Sequence, residues 1–407
     1  MAQFTFPKDF LWGTASAAYQ VEGNNKNSDW WLWENRDKKK DKFLLFKKFK
    51  SKWPLECSNN ACDFYNKYEE DFDLSLQCNN NAIRLGLEWS RIEPDENNFN
   101  QGEIEHYKKV LNSARKNGLK TFVTLHHFTN PIWFAKKGGW VNPKSAGYFA
   151  KYSQKCAIEL GDLIDVYLTI NEPQVYSGVA YLNGRWPPQR NNPLEALIVQ
   201  INFMRAHLKA YDAIKKVINS PVGIVQNLVC WEVDPTSKFF FDKLIVKLLL
   251  FLNTDFFIKP IIKKLDLIGV NYYFTNRIKN LKPKNPNDIT SDLGWWLYPK
   301  GLENILINIK KYKLPIYITE HGLADSRDKN RSWYINESMW SMAHALEKGV
   351  DLKGYFHWAL TDNYEWAEGF WPRFGLVEID YKDNLKRTPR GSFYEYANIC
   401  KNNTITR

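Results

Sequence analysis

The sequence predicts an α/β fold, a single (β/α)8 TIM barrel with loop insertions that spans residues 1–407. Runs rich in apolar, β-branched and aromatic residues recur along the chain, and helix-length segments separate them. Such alternation is typical of parallel strands buried on both faces, and eight units of this kind fit a closed barrel better than an open sheet. The predicted strands are residues 10–16, 82–89, 121–126, 165–171, 222–227, 265–272, 315–320 and 354–359.

Two of the intervening segments show clear helical periodicity. Residues 102–118 and 336–349 place apolar side chains three and four positions apart, and each segment ends at a glycine, which is a common helix stop. Residues 281–292, rich in proline and asparagine, predict a loop, as does the basic segment 36–60. No linker divides the chain, so we expect one catalytic domain.

Composition excludes several classes of function. The formal net charge is +11, but much of it lies in segment 36–52 and no nucleic-acid-binding motif accompanies it, so we expect no nucleic-acid partner. No G-x-G-x-x-G, P-loop or G-x-S-x-G motif is present. We therefore expect neither a nucleotide cofactor nor a metal.

The N-terminus lacks a charged region followed by an apolar run, and the six cysteines form no C-x-x-C pair, so we predict a cytoplasmic protein with reduced, mostly buried thiols. The most lipophilic stretch, residues 239–257, contains Asp242, Lys243, Lys247 and Asp255 and is too short for a membrane span. A buried amphipathic helix is favoured over an interfacial one. The oligomeric state stays open.

Polar and aromatic residues stand at the carboxyl end of each predicted strand, which is where a barrel of this kind builds its site. In strand order they are Gln20 and Glu22, Arg84 and Glu88, His126 and His127, Asn171 and Glu172, Gln226 and Asn227, Asn271, Tyr272 and Tyr273, Glu320 and His321, and Trp358 with Asp362, Glu365 and Trp366. We therefore predict one site assembled from all eight strand ends.

Two glutamates suggest the chemistry of that site. Glu172 in Thr-Ile-Asn-Glu-Pro and Glu320 in Ile-Thr-Glu-His-Gly each end an apolar run, and two carboxyls can divide acid/base and nucleophilic work. A raised pKa would suit Glu172 as the acid. Arg84 and Tyr273 are candidates to keep Glu320 ionised.

The adjacent His126 and His127 point to opposite faces of a strand, so a hydrogen-bonding role is favoured over shared metal ligation. The remaining carboxylates, amides and aromatic rings suit the binding of a polyol and the cleavage of an acetal.

From about residue 4 to residue 398 the chain resembles the family 1 glycoside hydrolases, the retaining β-glycosidases. The motifs that carry the resemblance are FLWGTASAAYQVEG at 10–23, LEWSRI at 87–92, TINEP at 169–173, GVNYY at 269–273, ITEHG at 318–322, WALTDNYEWAE at 358–368, RFGL at 373–376 and KRTP at 386–389.

The resemblance implies that Glu172 is the acid/base and Glu320 the nucleophile, with Arg84 and Tyr273 holding and tuning the nucleophile. It implies substrate-binding roles for Gln20, His127, Asn171, Asn271, Trp358, Glu365, Trp366 and Phe374, with Trp358 as the stacking platform. The implied activity is retaining exo-hydrolysis of terminal β-D-glycosides, such as glucosides, galactosides or fucosides, or oligosaccharides that end in them.

Glu365 would stand where a sugar phosphate has to bind, so unphosphorylated glycosides are favoured. The chain departs from the family pattern at His321, at Phe128, in the short stretch 171–271 and in the basic segment 36–52. A sugar-binding protein without activity on the same scaffold and a transglycosidase remain as alternatives.

Overall fold

Eight parallel strands close into a barrel, as the sequence predicts. The structure, a computed structural model, describes residues 2–36 and 56–407. In chain order the barrel strands β1 to β8 are Leu11–Ala15, Ala82–Gly86, Lys120–His126, Val166–Asn171, Val222–Asn227, Leu267–Tyr272, Ile316–His321 and Leu352–His357. Each strand pairs with the next, and β8 pairs with β1, which closes the barrel.

Eight helices follow these strands. They are, as α1 to α8, Phe64–Gln77, Gln101–Lys116, Ser145–Leu160, Pro193–Lys215, Phe256–Ile261, Pro299–Ile309, Arg331–Glu347 and Gly391–Asn402. The periodic segments thus form α2 and α7, and α7 begins five residues before the prediction. Gly118 and Gly349 follow these helices with φ of +73° and +75°, the left-handed conformation that ends a helix at low cost in glycine.

Shorter elements decorate the barrel. The other α-helices of the described residues are Ala18–Val21, Asp29–Glu34, Trp89–Ile92, Ile132–Lys136, Pro173–Tyr176 and the 11-residue Phe240–Leu250. Single 3-10 turns are Gly139–Val141, Gly161–Leu163, Ile262–Lys264, Lys310–Tyr312 and Trp366–Glu368, and π-helical turns are Ser177–Leu182 and Phe251–Asp255. Additional strands are Gln3–Thr5, Cys230–Val233, Thr275–Lys279, Lys282–Pro283, Val377–Asp380, Lys386–Pro389 and Thr404–Thr406.

The predicted loop at 281–292 is confirmed apart from its two-residue strand. Residues 37–55, which hold most of the basic segment, lie outside the described residues. The buried thiols are also as predicted, since Cys62, Cys78, Cys156, Cys230 and Cys400 are all buried.

Large apolar side chains fill the lower part of the barrel. Phe122, Leu168, Val225 and Phe356 are at most 1% exposed and belong to one cluster. This packing leaves room for a site only above it, toward the carboxyl ends of the strands.

The prediction of a buried helix at residues 239–257 is wrong for most of that stretch. The Phe240–Leu250 helix buries only Asp242 and Val246, whereas Phe240 is 74% exposed. Helical spacing reveals that a helix has an apolar face, but it does not reveal whether that face is turned inward. In the described part of the chain, no helix has both the length and the apolar character that a membrane crossing requires.

Candidate active site

A cavity of about 760 Å³ opens at the carboxyl ends of the barrel strands. The predicted site residues in its wall are Gln20, His127, Glu172, Tyr273, Glu320, Trp358, Glu365, Trp366 and Phe374. Arg84, Asn171 and Asn271 lie behind the wall, fully buried, and hydrogen-bond to the side chains that line it. The structure therefore brings together the residues to which the resemblance assigns catalytic or substrate-binding roles. Among the other strand-end residues, Asn227 lines the cavity, and those that do not are Glu22, Glu88, His126, Gln226, Tyr272, His321 and Asp362.

Glu320 is held from both sides. Nη1 of Arg84 donates to its Oε1 at 2.5 Å, and the Tyr273 hydroxyl donates to its Oε2 at 2.7 Å. The arginine contact is charge-assisted and therefore among the stronger kinds of hydrogen bond. Burial and the nearby Glu320 charge hold the pKa of Tyr273 well above its usual range, so its phenol remains a donor. The Glu320 carboxylate is thus fixed in orientation and faces a permanent positive charge.

Glu172 has a different environment. Its Oε1 accepts from Nδ2 of Asn227 at 2.8 Å and from Nδ2 of Asn271 at 2.7 Å. Burial, followed by the negative charge of Glu320, raises the pKa of Glu172 to about 8. Glu172 is therefore protonated at neutral pH, as a general acid must be.

The backbone at Glu172 explains how two consecutive residues reach the same site. Side chains alternate along a strand, so Asn171 and Glu172 would ordinarily face opposite sides. Glu172 has φ +45° and ψ +59°, a left-handed conformation that is uncommon outside glycine. This conformation ends β4 and turns the carboxyl toward the cavity.

An amide fixes the tautomer of the cavity histidine. Oδ1 of Asn171 accepts from Nη2 of Arg84 and Nδ2 of Asn271, so its Nδ2 is the atom that donates to Nε2 of His127, at 3.0 Å. His127 therefore carries its proton on Nδ1. Burial holds its pKa well below the usual range, which keeps the ring neutral. His126 points the other way, as predicted, and bonds Asn130.

Another wall of the cavity combines rings and polar groups. Trp358 and Trp366 each lie nearly parallel to His127, with ring centroids 6.0 and 5.9 Å away. Nε2 of Gln20 donates to Oε2 of Glu365 at 3.3 Å, and burial raises the pKa of Glu365 to about 8. Flat rings beside hydroxyl-binding groups suit the apolar faces and the hydroxyls of a sugar.

His321 does not face the cavity. Its Nδ1 lies 3.0 Å from the Tyr355 hydroxyl and its Nε2 3.0 Å from Oγ of Ser338, and its ring stacks on Tyr334. Burial lowers its pKa to about 3. His321 is thus a neutral packing residue behind Glu320, which follows from the alternation of β7.

Several residues of the cavity had no predicted role, although Asn227 was among the strand-end residues of the predicted site. Asn227 bonds Glu172 directly, and its position at the end of β5 was the available signal. Trp186 and Trp295 also line the cavity, but they come from loops, where no sequence pattern marked them. Phe128 packs against Trp186 at 4.9 Å between ring centroids and forms part of the same wall.

No group of three or more metal-ligating side chains occurs within residues 2–36 and 56–407.

Comparison with known proteins gives consistent matches along the chain. A family model described as glycosyl hydrolase family 1 matches residues 2–263 and 247–405. The beta-galactosidase of Pyrococcus woesei is 32% identical over an alignment of 510 residues that covers 99% of this chain and 98% of that protein. Beta-glucosidase A of Thermotoga maritima is 31% identical, with 98% of each chain covered.

Among solved structures, a beta-glycosidase from Pyrococcus horikoshii superposes with a TM-score of 0.88 at 34% identity. That match covers 99% of this chain and 96% of the other. The alignment with the Pyrococcus woesei protein is longer than the 407 residues here, so this chain lacks segments that the relative carries.

Proposed function

This chain belongs to glycosyl hydrolase family 1, and from that premise we propose that Glu172 is the general acid/base and Glu320 the nucleophile of a retaining β-glycosidase. The contrast between the two carboxyls carries the proposal. Glu320 is bound by a guanidinium and a phenol, whereas burial raises the pKa of Glu172 to about 8. One carboxyl is suited to attack and the other to give a proton.

In the first step, a carboxylate oxygen of Glu320 attacks the anomeric carbon while Glu172 transfers its proton to the glycosidic oxygen. The C–O bond to the aglycone breaks, the aglycone leaves as an alcohol, and the sugar remains as an ester of Glu320. In the second step, Glu172 takes a proton from water, the water oxygen attacks the anomeric carbon, and Glu320 departs as a carboxylate. Two displacements at the same carbon retain the β configuration.

The electrostatic interaction between Glu172 and Glu320 fits the change of Glu172 from acid in the first step to base in the second. The Glu320 charge is the second largest cause of the raised pKa of Glu172, after burial. Formation of the ester removes that charge, which lowers the pKa of Glu172. Glu172 is then a carboxylate when the second step needs a base.

We propose terminal, unphosphorylated β-D-glucosides and β-D-galactosides as substrates. The names of the Thermotoga maritima and Pyrococcus woesei relatives support these two sugars. Gln20, His127 and Glu365 would contact the hydroxyls, and Trp358 would stack on the sugar. The Glu320 carboxylate lines the same cavity, and its charge disfavours a phosphorylated sugar by repulsion.

We also propose that the whole chain forms one catalytic domain. Strand Gln3–Thr5 pairs with strand Thr404–Thr406, so the two ends of the described chain are joined, and the family match reaches from residue 2 to residue 405.

Two variants with a matched control test the assignment on a panel of aryl β-glucosides and β-galactosides. Glu320→Gly should abolish hydrolysis of every substrate. Glu172→Ala should slow substrates with poor leaving groups far more than activated ones, and added azide should restore turnover as the β-glycosyl azide. Glu368→Ala is the control, because Glu368 lines the cavity but pairs with Arg185 at its rim, and it should stay active.

Hydrolysis that persists in Glu320→Gly would refute the nucleophile assignment. Equal loss on both kinds of substrate in Glu172→Ala would refute the acid assignment. In the wild type, release of free sugar equal to released aglycone is expected of a hydrolase, whereas a deficit of free sugar would identify transfer to an acceptor.

A further inference from the structure

The lipophilic segment around the Phe240–Leu250 helix presents an unusual apolar surface to solvent. We call it the apolar face. It consists of Phe239, Phe240, Phe241, Leu244, Leu248, Phe251 and Leu252, each between 42% and 74% exposed. Single exposed apolar side chains are ordinary, whereas a contiguous group on one helix marks a surface of interaction.

A buried carboxylate fixes the helix in this orientation. Asp242 accepts hydrogen bonds from Oγ of Ser237 at 2.5 Å and from the backbone N–H groups of Asn280 and Leu281 at 2.9 and 2.8 Å. Val246, one turn later, is buried on the same side. Rotation of the helix to bury the apolar face would break these bonds and expose Val246, so the outward orientation is built into the packing.

The spacing of the exposed residues makes one continuous stripe. Phe240, Leu244 and Leu248 follow each other at four-residue intervals, and Phe251 continues the row. Residues spaced in this way lie on one side of a helix. The face opposite Asp242 therefore carries this apolar row, and Lys243 and Lys247 lie along one edge of it.

Lysines flank this stripe. Lys238, Lys243 and Lys247 are exposed, and none of them is ion-paired with a residue of the described ranges. An apolar stripe bordered by lysines is typical of helices that lie in the interface of an anionic membrane. A second copy of this chain is disfavoured as the occupant, because it would bring the same lysines and the same net charge of +11 against each other.

The apolar face adjoins the mouth of the cavity. Asn253 directly follows Leu252 and lines the cavity. Its Oδ1 accepts from the Val229 N–H at 2.8 Å, and its Nδ2 donates to the carbonyl oxygen of Asn227 at 3.0 Å. Asn227 in turn donates to Glu172. One short hydrogen-bonded path thus joins the apolar face to the catalytic carboxyl.

We propose that the apolar face docks on an anionic lipid bilayer, with its rings and leucines at the boundary between headgroups and acyl chains and its lysines on the lipid phosphates. This arrangement holds the cavity mouth beside the bilayer, where glycosides with a lipid aglycone are within reach. The choice of such glycosides rests on the proposed function, whereas docking itself does not.

Sedimentation of the full chain with liposomes tests the docking. The probes are vesicles of phosphatidylcholine mixed with phosphatidylglycerol and vesicles of phosphatidylcholine alone. The wild type should sediment with the anionic vesicles and bind the neutral ones more weakly. The triple variant Phe240→Ser, Leu244→Ser, Leu248→Ser should lose this binding, and Lys243→Glu with Lys247→Glu should weaken it by about fivefold or more for each lysine.

The matched control is Ile158→Ser with Tyr394→Ser, two apolar residues that are 60% and 63% exposed outside the apolar face. The control should bind as the wild type does. All variants should retain wild-type activity on a soluble aryl β-glucoside, which shows that they are folded. Binding that is absent in the wild type, or unchanged in the triple variant, would overturn the proposal. A wild-type dimer that the triple variant converts to a monomer would also overturn it, because the face would then join two copies.

A second measurement separates this proposal from the catalytic one. Glu320→Gly should bind the anionic vesicles as the wild type does, because docking does not use the nucleophile. With dodecyl β-glucoside held in those vesicles, the triple variant should hydrolyse at least tenfold more slowly than the wild type, and equally fast on the soluble substrate. Equal rates on the vesicle-held substrate would refute the role in substrate access. Inactivity of the wild type on both substrates, with intact vesicle binding, would refute the proposed function and leave docking established.

Discussion

Replacement of Glu320 by glutamine should lower the pKa of Glu172 by about two units. The Glu320 charge contributes to the raised pKa of about 8 at Glu172, and burial contributes more. Retention requires carboxyls about 5–5.5 Å apart, and at an effective dielectric constant of about 20 two unit charges at that distance repel by about 3 kcal/mol. Since one pKa unit corresponds to about 1.36 kcal/mol, the expected pKa in Glu320→Gln is about 6.

The direct measurement is a pH titration of the Glu172 carboxyl by NMR with 13C-labelled glutamate, with Glu172→Gln used to assign the resonance. In the wild type the same pKa should set the alkaline limb of kcat/KM. Activity is expected to fall above pH of about 8, because Glu172, the proposed general acid, loses its proton there. Glu368→Gln is the control and should leave the titration unchanged, because its carboxylate lies at the rim beside Arg185.

A shift of less than half a unit in Glu320→Gln would refute the reasoning. It would mean that burial alone raises the pKa of Glu172, and that loss of the Glu320 charge in the ester cannot convert Glu172 from an acid to a base.

Three further variants test the surroundings of the two carboxyls. Tyr273→Phe removes the hydroxyl that donates to Glu320 at 2.7 Å, so kcat should fall about 10–100-fold with the thermal midpoint little changed; an unaltered kcat would contradict a positioning role. Asn227→Ala removes a hydrogen bond that lowers the pKa of Glu172. The alkaline limb of kcat/KM should therefore move to a pH about one unit higher. A shift to lower pH would contradict the stabilisation of the Glu172 carboxylate by Asn227. His321→Asn should leave the acid limb of the pH profile in place, since burial lowers the pKa of His321 to about 3. The same variant should lower the free energy of unfolding by about 1–3 kcal/mol, because the hydrogen bonds of His321 to Tyr355 and Ser338 are lost. A displaced acid limb would show that His321 titrates together with the site.

The barrel was predictable because each of its strands is buried on both faces and therefore leaves a continuous apolar run in the sequence. The strand ends were less certain. The second predicted strand included residues 87–89, yet the strand stops at Gly86 because Trp89 begins a short helix. The orientation of the Phe240–Leu250 helix could not be predicted, since it depends on the distant backbone of Asn280 and Leu281, which binds Asp242.

The candidate site was predictable at the strand ends and in the family motifs, which include the loop residues Glu365 and Phe374, and it was missed in loops that carry no motif. The ends of β4 and β7 carry the two glutamates, and strand alternation separates Glu320 from His321. Trp186 and Trp295 reach the cavity from loops, and the path of a loop has no periodicity that a sequence could display.

The sequence by itself determined the class of barrel, the family and the residue types gathered at the site, because these follow from local apolar patterns and from motifs. Only the tertiary structure decided how each group is oriented and which contacts set its charge. The left-handed backbone at Glu172 turns its carboxyl inward, burial and the charge of Glu320 raise its pKa to about 8, and Asp242 turns the apolar face outward. These properties arise from contacts between residues far apart in the chain, and a pKa or a helix orientation exists only once those contacts have formed.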